Sequence, residues 1–271
     1  MVRRTYVDGT HGQIHLQIAD AQKEAGKPPL ICLHQSPKCS LEFDIFMREA
    51  SRDRMVIAPD YPGYGMSDPA PSEEETTVPM YANEMWRVAD ALGLKTVDLF
   101  GNHTGAKVAA KMALDQDDRV HAIAMVSAAI LTDEERETFK DMFTPIPLDK
   151  EHSRFRISWQ RVVERQGPGQ TLEMMDRSMF MNMMGGEAYE WGHVAAFAWG
   201  APFDDALTRL PHRITLLNPV DDLTECTRRA VPLMRNGELI ECPQWGYGFM
   251  DAFPKDAADL VLGKLDASPT I

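Results

Sequence analysis

The chain has 271 residues, 44% of them hydrophobic and 25% charged, and its 28 Lys and Arg against 41 Asp and Glu leave a formal net charge of −13. This ordinary globular composition excludes a disordered or fibrous protein. The acidic balance, with a sequence pI near 5.0, repels a phosphate backbone and excludes nucleic acid as a partner.

The length fits one large α/β core with room for an inserted subdomain. No run of about 18 apolar residues occurs, and the start Met1-Val-Arg-Arg-Thr-Tyr-Val-Asp-Gly9 passes into polar sequence without a secretory apolar stretch. A cytoplasmic protein without membrane contact is expected. Cys32, Cys39, Cys226 and Cys242 stand singly, with no C-x-x-C pair and no His at ligand spacing, so reduced thiols and no metal are expected. Cys32, within Leu30-Ile-Cys-Leu33, reads as a small buried hydrophobe.

In chain order, nearly continuous apolar runs fall at Leu30–Leu33, Met55–Ala58, Val97–Phe100, Ile123–Val126, Ile214–Leu217 and Glu238–Glu241. They alternate with helical patterns, which predicts an α/β fold: a mostly parallel sheet with helices on both faces. Met80–Leu92 and Gly105–Leu114 carry apolar residues three and four apart and are expected to pack on the sheet as helices. Residues 133–204 break the rhythm: Asp133-Glu-Glu-Arg-Glu137 opens a helix, Pro145 and Pro147 interrupt it, and Arg156–Arg165 starts another. This segment is expected to be a helical lid over the strand ends, inserted into a core made of 1–132 and 205–271. Its methionines, Met174, Met175, Met179, Met181, Met183 and Met184, serve either lid packing or an adaptable apolar pocket wall, with Met179 a candidate substrate contact. Residues 267–271 read as a frayed end.

Four segments carry the chemistry. Leu33-His-Gln-Ser-Pro37 follows one strand and Asp60-Tyr-Pro-Gly-Tyr-Gly-Met-Ser-Asp68 the next. Val97-Asp-Leu-Phe-Gly-Asn-His-Thr-Gly-Ala106 reads as strand, sharp turn and helix, with small residues around His103 because the two backbones must approach closely. Leu217-Asn-Pro-Val-Asp-Asp222 and Trp245-Gly-Tyr-Gly-Phe-Met-Asp-Ala-Phe-Pro254 end the last two strands. Together these resemble the α/β-hydrolase superfamily, in its lidded single-domain type, over nearly the whole chain apart from the lid. The D-x-P-G-x-G-x-S-D loop is the most specific match.

The resemblance implies an oxyanion-hole turn at His34, Gln35 and Ser36, with Gln35 where glycine is usual. It implies a nucleophile elbow of the form G-x-S-x-G, with His103 in the central place. Asp221 matches the acid, with Asp222 as the close alternative. Tyr247, seven residues before Pro254, fills the base position, and no histidine follows His212. Both the usual serine and the usual histidine are absent, so the ordinary relay cannot run.

An imidazole at the elbow, with an ordinary pKa near ~6.5, is already a base at neutral pH. His103 is read as a general base; a covalent nucleophile and an inert remnant are the alternatives. The backbone amides of Thr104 and Ser36 are expected to form an oxyanion site beside the imidazole. Tyr247 would donate to an oxyanion or orient His103, and Asp221 would bond Tyr247 or cap a helix at Thr224. An apolar lid over His103 would lower its pKa. His34 is expected mainly to bond backbone, and His193 either to reach the site from the lid or to pack within it. Arg154, Arg156, Arg161 and Arg165 would pair with surface acids or clamp a substrate carboxylate.

The expected function is a hydrolase-like enzyme for a small, largely apolar carbonyl compound. Its reaction would be ester, lactone or C–C ketone hydrolysis, or lyase or isomerase chemistry, with no cofactor. A non-catalytic ligand-binding protein of the same fold is the alternative, and a cofactor-independent oxygenase a third reading. A small-molecule substrate is the expected partner, and a homodimer is left open.

Overall fold

The computed structural model describes residues 1–267, so residues 268–271 of the expected frayed end lie outside the described residues. One sheet contains eight strands: β1 (Val2–Asp8), β2 (Gln13–Ala19), β3 (Leu30–Leu33), β4 (Val56–Pro59), β5 (Val97–Asn102), β6 (Val120–Val126), β7 (Ile214–Pro219) and β8 (Gly237–Cys242). Their spatial order is β1-β2-β4-β3-β5-β6-β7-β8. From β4 to β8 every pairing is parallel, while β1 and β2 add on as antiparallel strands.

The strands expected from apolar runs are all present. β3 shows why their runs are continuous: Ile31 and Leu33 face one core layer and Leu30 and Cys32 the other, the two-residue period of a strand covered on both sides. The hairpin of β1 and β2 was not anticipated. In β2 the polar positions His15 and Gln17 are as buried as their apolar neighbours, because His15 Nδ1 pairs with Asp60 and Gln17 Nε2 with Ser40. β1 is an edge strand with Arg3 and Arg4 exposed, which suits an edge that must not recruit another chain.

The helices are α1 (Asp44–Ala50), α2 (Val78–Ala91), α3 (Thr104–Asp115), α4 (Asp133–Met142), α5 (Ser153–Glu164), α6 (Leu172–Met184), α7 (Trp191–Ala198), α8 (Gly200–Arg209), α9 (Thr224–Arg228), α10 (Phe249–Ala252) and α11 (Pro254–Asp266). α2, α3 and α8 contribute Met85, Val108 and Phe203 to one core layer, and α1 and α11 contribute Phe46 and Val261 to the other. α2 starts where its sequence signals a start: the Thr77 side chain accepts from Met80 N, and a proline stands in the first turn. α4 begins with a full capping box between Thr132 and Glu135.

α4 to α8 form the insertion between β6 and β7. α8 runs through position 204 and buries Phe203, Ala206 and Leu207, so the end of the insertion belongs to the sheet-side core. The four cysteines are free and buried. Among the described residues no helix is long and apolar enough to cross a membrane, and no group of His, Cys, Asp and Glu is placed to hold a metal.

Candidate active site

β5 ends at Asn102 and α3 begins at Thr104, so His103 alone makes the turn, with φ 48° and ψ −107°. A non-glycine residue held there costs about 1–3 kcal/mol, which surrounding structure must enforce. The flanking glycines show the enforcement. A Cβ on Gly105 would collide with the Leu33 carbonyl, and one on Gly101 with the Gly105 carbonyl.

The acid comes from the loop after β7. Leu223 N donates to Asp221 Oδ1 at 2.8 Å, and Ser127, just past β6, donates its hydroxyl to Oδ2 at 2.5 Å. His103 Nε2 lies 3.3 Å from that same Oδ2, with the Asp221 side chain 2% exposed and the imidazole 16% exposed. A carboxylate only accepts, so its approach favours the tautomer with the ring proton on Nε2, in which Nδ1 is the basic nitrogen. Among the described residues Nδ1 has no partner.

Burial disfavours the imidazolium, but the bond and charge of Asp221, with Asp222 and Glu42 nearby, outweigh it and raise the His103 pKa above 6.5. The lowering expected from an apolar lid is therefore corrected: the acid loop supplies a paired charge that desolvation cannot cancel. Burial likewise pushes Asp221 up, and His103, Ser127 and the Leu223 amide together bring it below the usual carboxylate value.

Tyr247 sits beside the imidazole, its ring centroid 5.8 Å from that of His103 and tilted by 35°. Its hydroxyl donates to Asp222 Oδ1, and burial holds the phenol well above its usual pKa, so it stays a neutral donor. The expected bond to Asp221 is not formed, because the imidazole already occupies that carboxylate. The two consecutive aspartates divide the work. Asp221 takes His103, while Asp222 takes Tyr247 and, at 3.1 Å, Arg165 from the end of α5.

On the opposite side Ser36 N donates to Thr104 Oγ1 at 3.4 Å, so the two segments expected to carry the amide pair meet. Gln35 also lines the cavity, with its backbone N donating to Glu42 Oε2 at 3.2 Å and its side-chain amide to Glu42 Oε1. A glycine there would leave Glu42, a carboxyl raised in pKa by burial, short of a donor. His34 lies outside the cavity lining and is withdrawn from the candidate substrate contacts. Its Nε2 accepts from Tyr61 N at 3.0 Å, its Nδ1 pairs with the Gln35 carbonyl, and burial lowers its pKa to about 4.

These groups open on a cavity of about 180 Å³, well beyond the roughly 10–15 Å³ that one water requires. Phe139, Phe143, Met181, His193 and Phe197 wall it from the insertion. Met179 is not among the lining residues and is corrected to Met181. On α6 the cavity face is Ser178, Met181 and Asn182, spaced as one helix face, and Met179 is turned off it. His193 lines the cavity with its Nδ1 2.5 Å from Glu190 Oε2 and its ring stacked on Phe143 at 4.0 Å. Arg161 and Arg165 also line it, while Arg154 pairs with Glu187.

Ser127 and Glu42 were not singled out in the sequence reading. Ser127 was signalled only by its place directly after the Ile123–Val126 run, and Glu42 by no motif at all.

The chain resembles several characterised proteins. A haloalkane dehalogenase from Psychrobacter cryohalolentis is 31% identical over 97 residues, 35% of this chain and 32% of that protein. A 2-hydroxymuconate semialdehyde hydrolase from Pseudomonas sp. is 30% identical over 104 residues, 37% of this chain and 36% of that one. The matches thus span about a third of these relatives' length. The solved structure of a thermophilic esterase from Thermogutta terrifontis aligns with a TM-score of 0.76 at 18% identity, covering 97% of this chain and 98% of the esterase, a likeness of fold. A family model described as alpha/beta hydrolase fold matches residues 28–181, more than half of the chain. With the sheet order and the strand, turn and helix around His103, that match makes this protein a member of the alpha/beta hydrolase fold family.

Proposed function

We propose that this protein is an enzyme for a small, largely apolar carbonyl compound, with His103 as a general base held by Asp221. One observation carries the reading: a cavity-lining imidazole whose Nε2 lies 3.3 Å from a buried carboxylate and whose Nδ1 is unpartnered among the described residues. A general base needs an available lone pair, and the carboxylate favours the tautomer that leaves it on Nδ1. The raised pKa keeps the group within reach of neutral pH.

In the proposed hydrolysis the substrate carbonyl rests on the amides of Ser36 and Thr104, replacing the 3.4 Å contact of Ser36 N with Thr104 Oγ1. Nδ1 takes a proton from water, the water oxygen bonds to the carbonyl carbon, and the carbonyl π pair moves onto its oxygen. Asp221 balances the imidazolium. Collapse of the adduct expels the leaving group, which recovers the proton from Nδ1. The insertion at 133–204 serves as the lid, and its aromatic and Met181 walls favour an apolar substrate body. Relatives named for haloalkane dehalogenation and for semialdehyde hydrolysis support a small-molecule substrate. The buried free cysteines suit action in the cytoplasm.

The test is a panel of small esters, lactones and ketones assayed with wild type and with His103→Ala. Wild type is expected to turn over at least one class, and the variant to lose roughly 10²-fold or more of that rate with an unchanged circular dichroism spectrum. Equal turnover by the variant would remove His103 from the mechanism. Binding of panel members by wild type without turnover would favour a ligand-binding protein.

A further inference from the structure

Ser127 follows β6 as His103 follows β5, and the two strands are neighbours. Both residues adopt positive φ, 51° and 48°, without being glycine. The remaining positive-φ non-glycine residue among those described, His152, is exposed before α5. Ser127 and His103 both line the cavity and both reach Asp221 Oδ2. Backbone held in this region persists where the surrounding structure over-determines it, and such residues cluster at active sites.

We propose that Ser127 is a positioning residue for the base: its hydroxyl orients Asp221 toward His103, takes a share of the carboxylate's charge, and so sets how basic Nδ1 is. The turn does not need that hydroxyl. Ser127 N donates to the Leu217 carbonyl at 3.3 Å and its own carbonyl accepts from Ala129 N at 2.9 Å, so the backbone is satisfied without it. The hydroxyl's hydrogen goes instead to Oδ2. With the Leu223 amide on Oδ1, Asp221 is pinned at both oxygens by groups borne on separate strand ends, and it meets the imidazole in a fixed plane.

The other charged or titratable groups around the pair are already committed. Asp222 is bonded to Tyr247 and to Arg165 just past α5, Glu42 to Gln35 and Asn102, Lys38 to Ser178 and Asn182, and Glu190 to His193. Substituting Ser127 leaves these contacts in place, so a change in the titration of His103 reports on Asp221. Removing the hydroxyl concentrates the negative charge of Oδ2 on the imidazole, favours its protonated form and raises its pKa.

The experiment is an NMR titration of the His103 ring in the full chain. It compares wild type, Ser127→Ala and Ser127→Gly. Alanine removes the hydroxyl and keeps the strained backbone, whereas glycine removes both hydroxyl and strain. Both variants are expected to titrate higher than wild type by roughly half a pH unit or more, the usual worth of one hydrogen bond. In an Asp221→Asn background the same Ser127→Ala change is expected to move nothing. Unshifted titration in both variants would overturn the proposal, as would an equal shift without the Asp221 carboxylate. The effect on turnover, an acid limb moved to higher pH at unchanged KM, rests on His103 being the base. The titration does not, so failure of one leaves the other readable.

Discussion

An imidazole is longer than a serine hydroxymethyl group, and at the turn after β5 that length lets one residue span the gap to Asp221. The arrangement has a definite pH signature. Nδ1 accepts a proton only when the ring is neutral, so turnover should rise with pH through a pKa above 6.5, the direction in which Asp221 moves it. Asp221→Asn removes the largest counter-charge and leaves burial opposed only by Asp222 and Glu42, so the limb should shift to lower pH while the rate falls; a pH–rate profile of both proteins checks this. His103→Ser should not create a serine hydrolase, because Tyr247 is a neutral phenol bonded to Asp222 and cannot accept the hydroxyl proton. For the same reason serine-directed phosphonates should label neither the wild type nor this variant, as intact-mass spectrometry would show.

At the scale of elements, what could be read in advance was what periodicity and turn chemistry encode. The strands from β3 to β8 announced themselves by apolar runs, and the turn at His103 by its glycines. Gly105→Ala tests the second point. With no room before the Leu33 carbonyl, the change should destabilise by roughly 3 kcal/mol or more, visible as a lower denaturation midpoint at unchanged slope. The β1 and β2 hairpin was illegible because its buried polar residues find partners far along the chain, His15 in Asp60 and the side-chain nitrogen of Gln17 in Ser40. Asp60 itself, at the head of the most specific motif, also accepts from the backbone of Ser40 and Met66. The motif marks a structural hub and not a reacting group. On α6 the methionine spacing signalled an apolar helix, but which face met the cavity depended on how the insertion docks, so Met179 and Met181 could not be told apart. Ser127 was hidden for a related reason: a serine after a strand is commonplace until the neighbouring strand ends are known.

For the molecule as a whole, the sheet carries His103 and Asp221 and the insertion supplies much of the cavity wall. Phe143 stacks on His193 and packs at 5.8 Å against Phe197, joining the end of α4 to α7 over the cavity. Phe143→Ala should therefore loosen the cover more than the core. The expected outcome is a melting temperature lowered by about 2–4 °C for each kcal/mol lost, with KM raised more than kcat is reduced. A fall in kcat alone, at constant KM, would show that this cluster does not shape the substrate space.

Carrying His103 on the turn after β5 changes when its pair with Asp221 becomes available. Both members of the His103–Asp221 pair hang from strands in the middle of the parallel sheet, with β6 and Ser127 between them. The pair is thus complete once β5, β6 and β7 are assembled. The segment after β8, which carries Tyr247 and leads into α10 and α11, adds a wall without completing the pair. An opening of that segment would leave His103 with its counter-charge. Native-state hydrogen exchange should then find amides of residues 246–252 exchanging through a local fluctuation that leaves the titration of His103 unchanged.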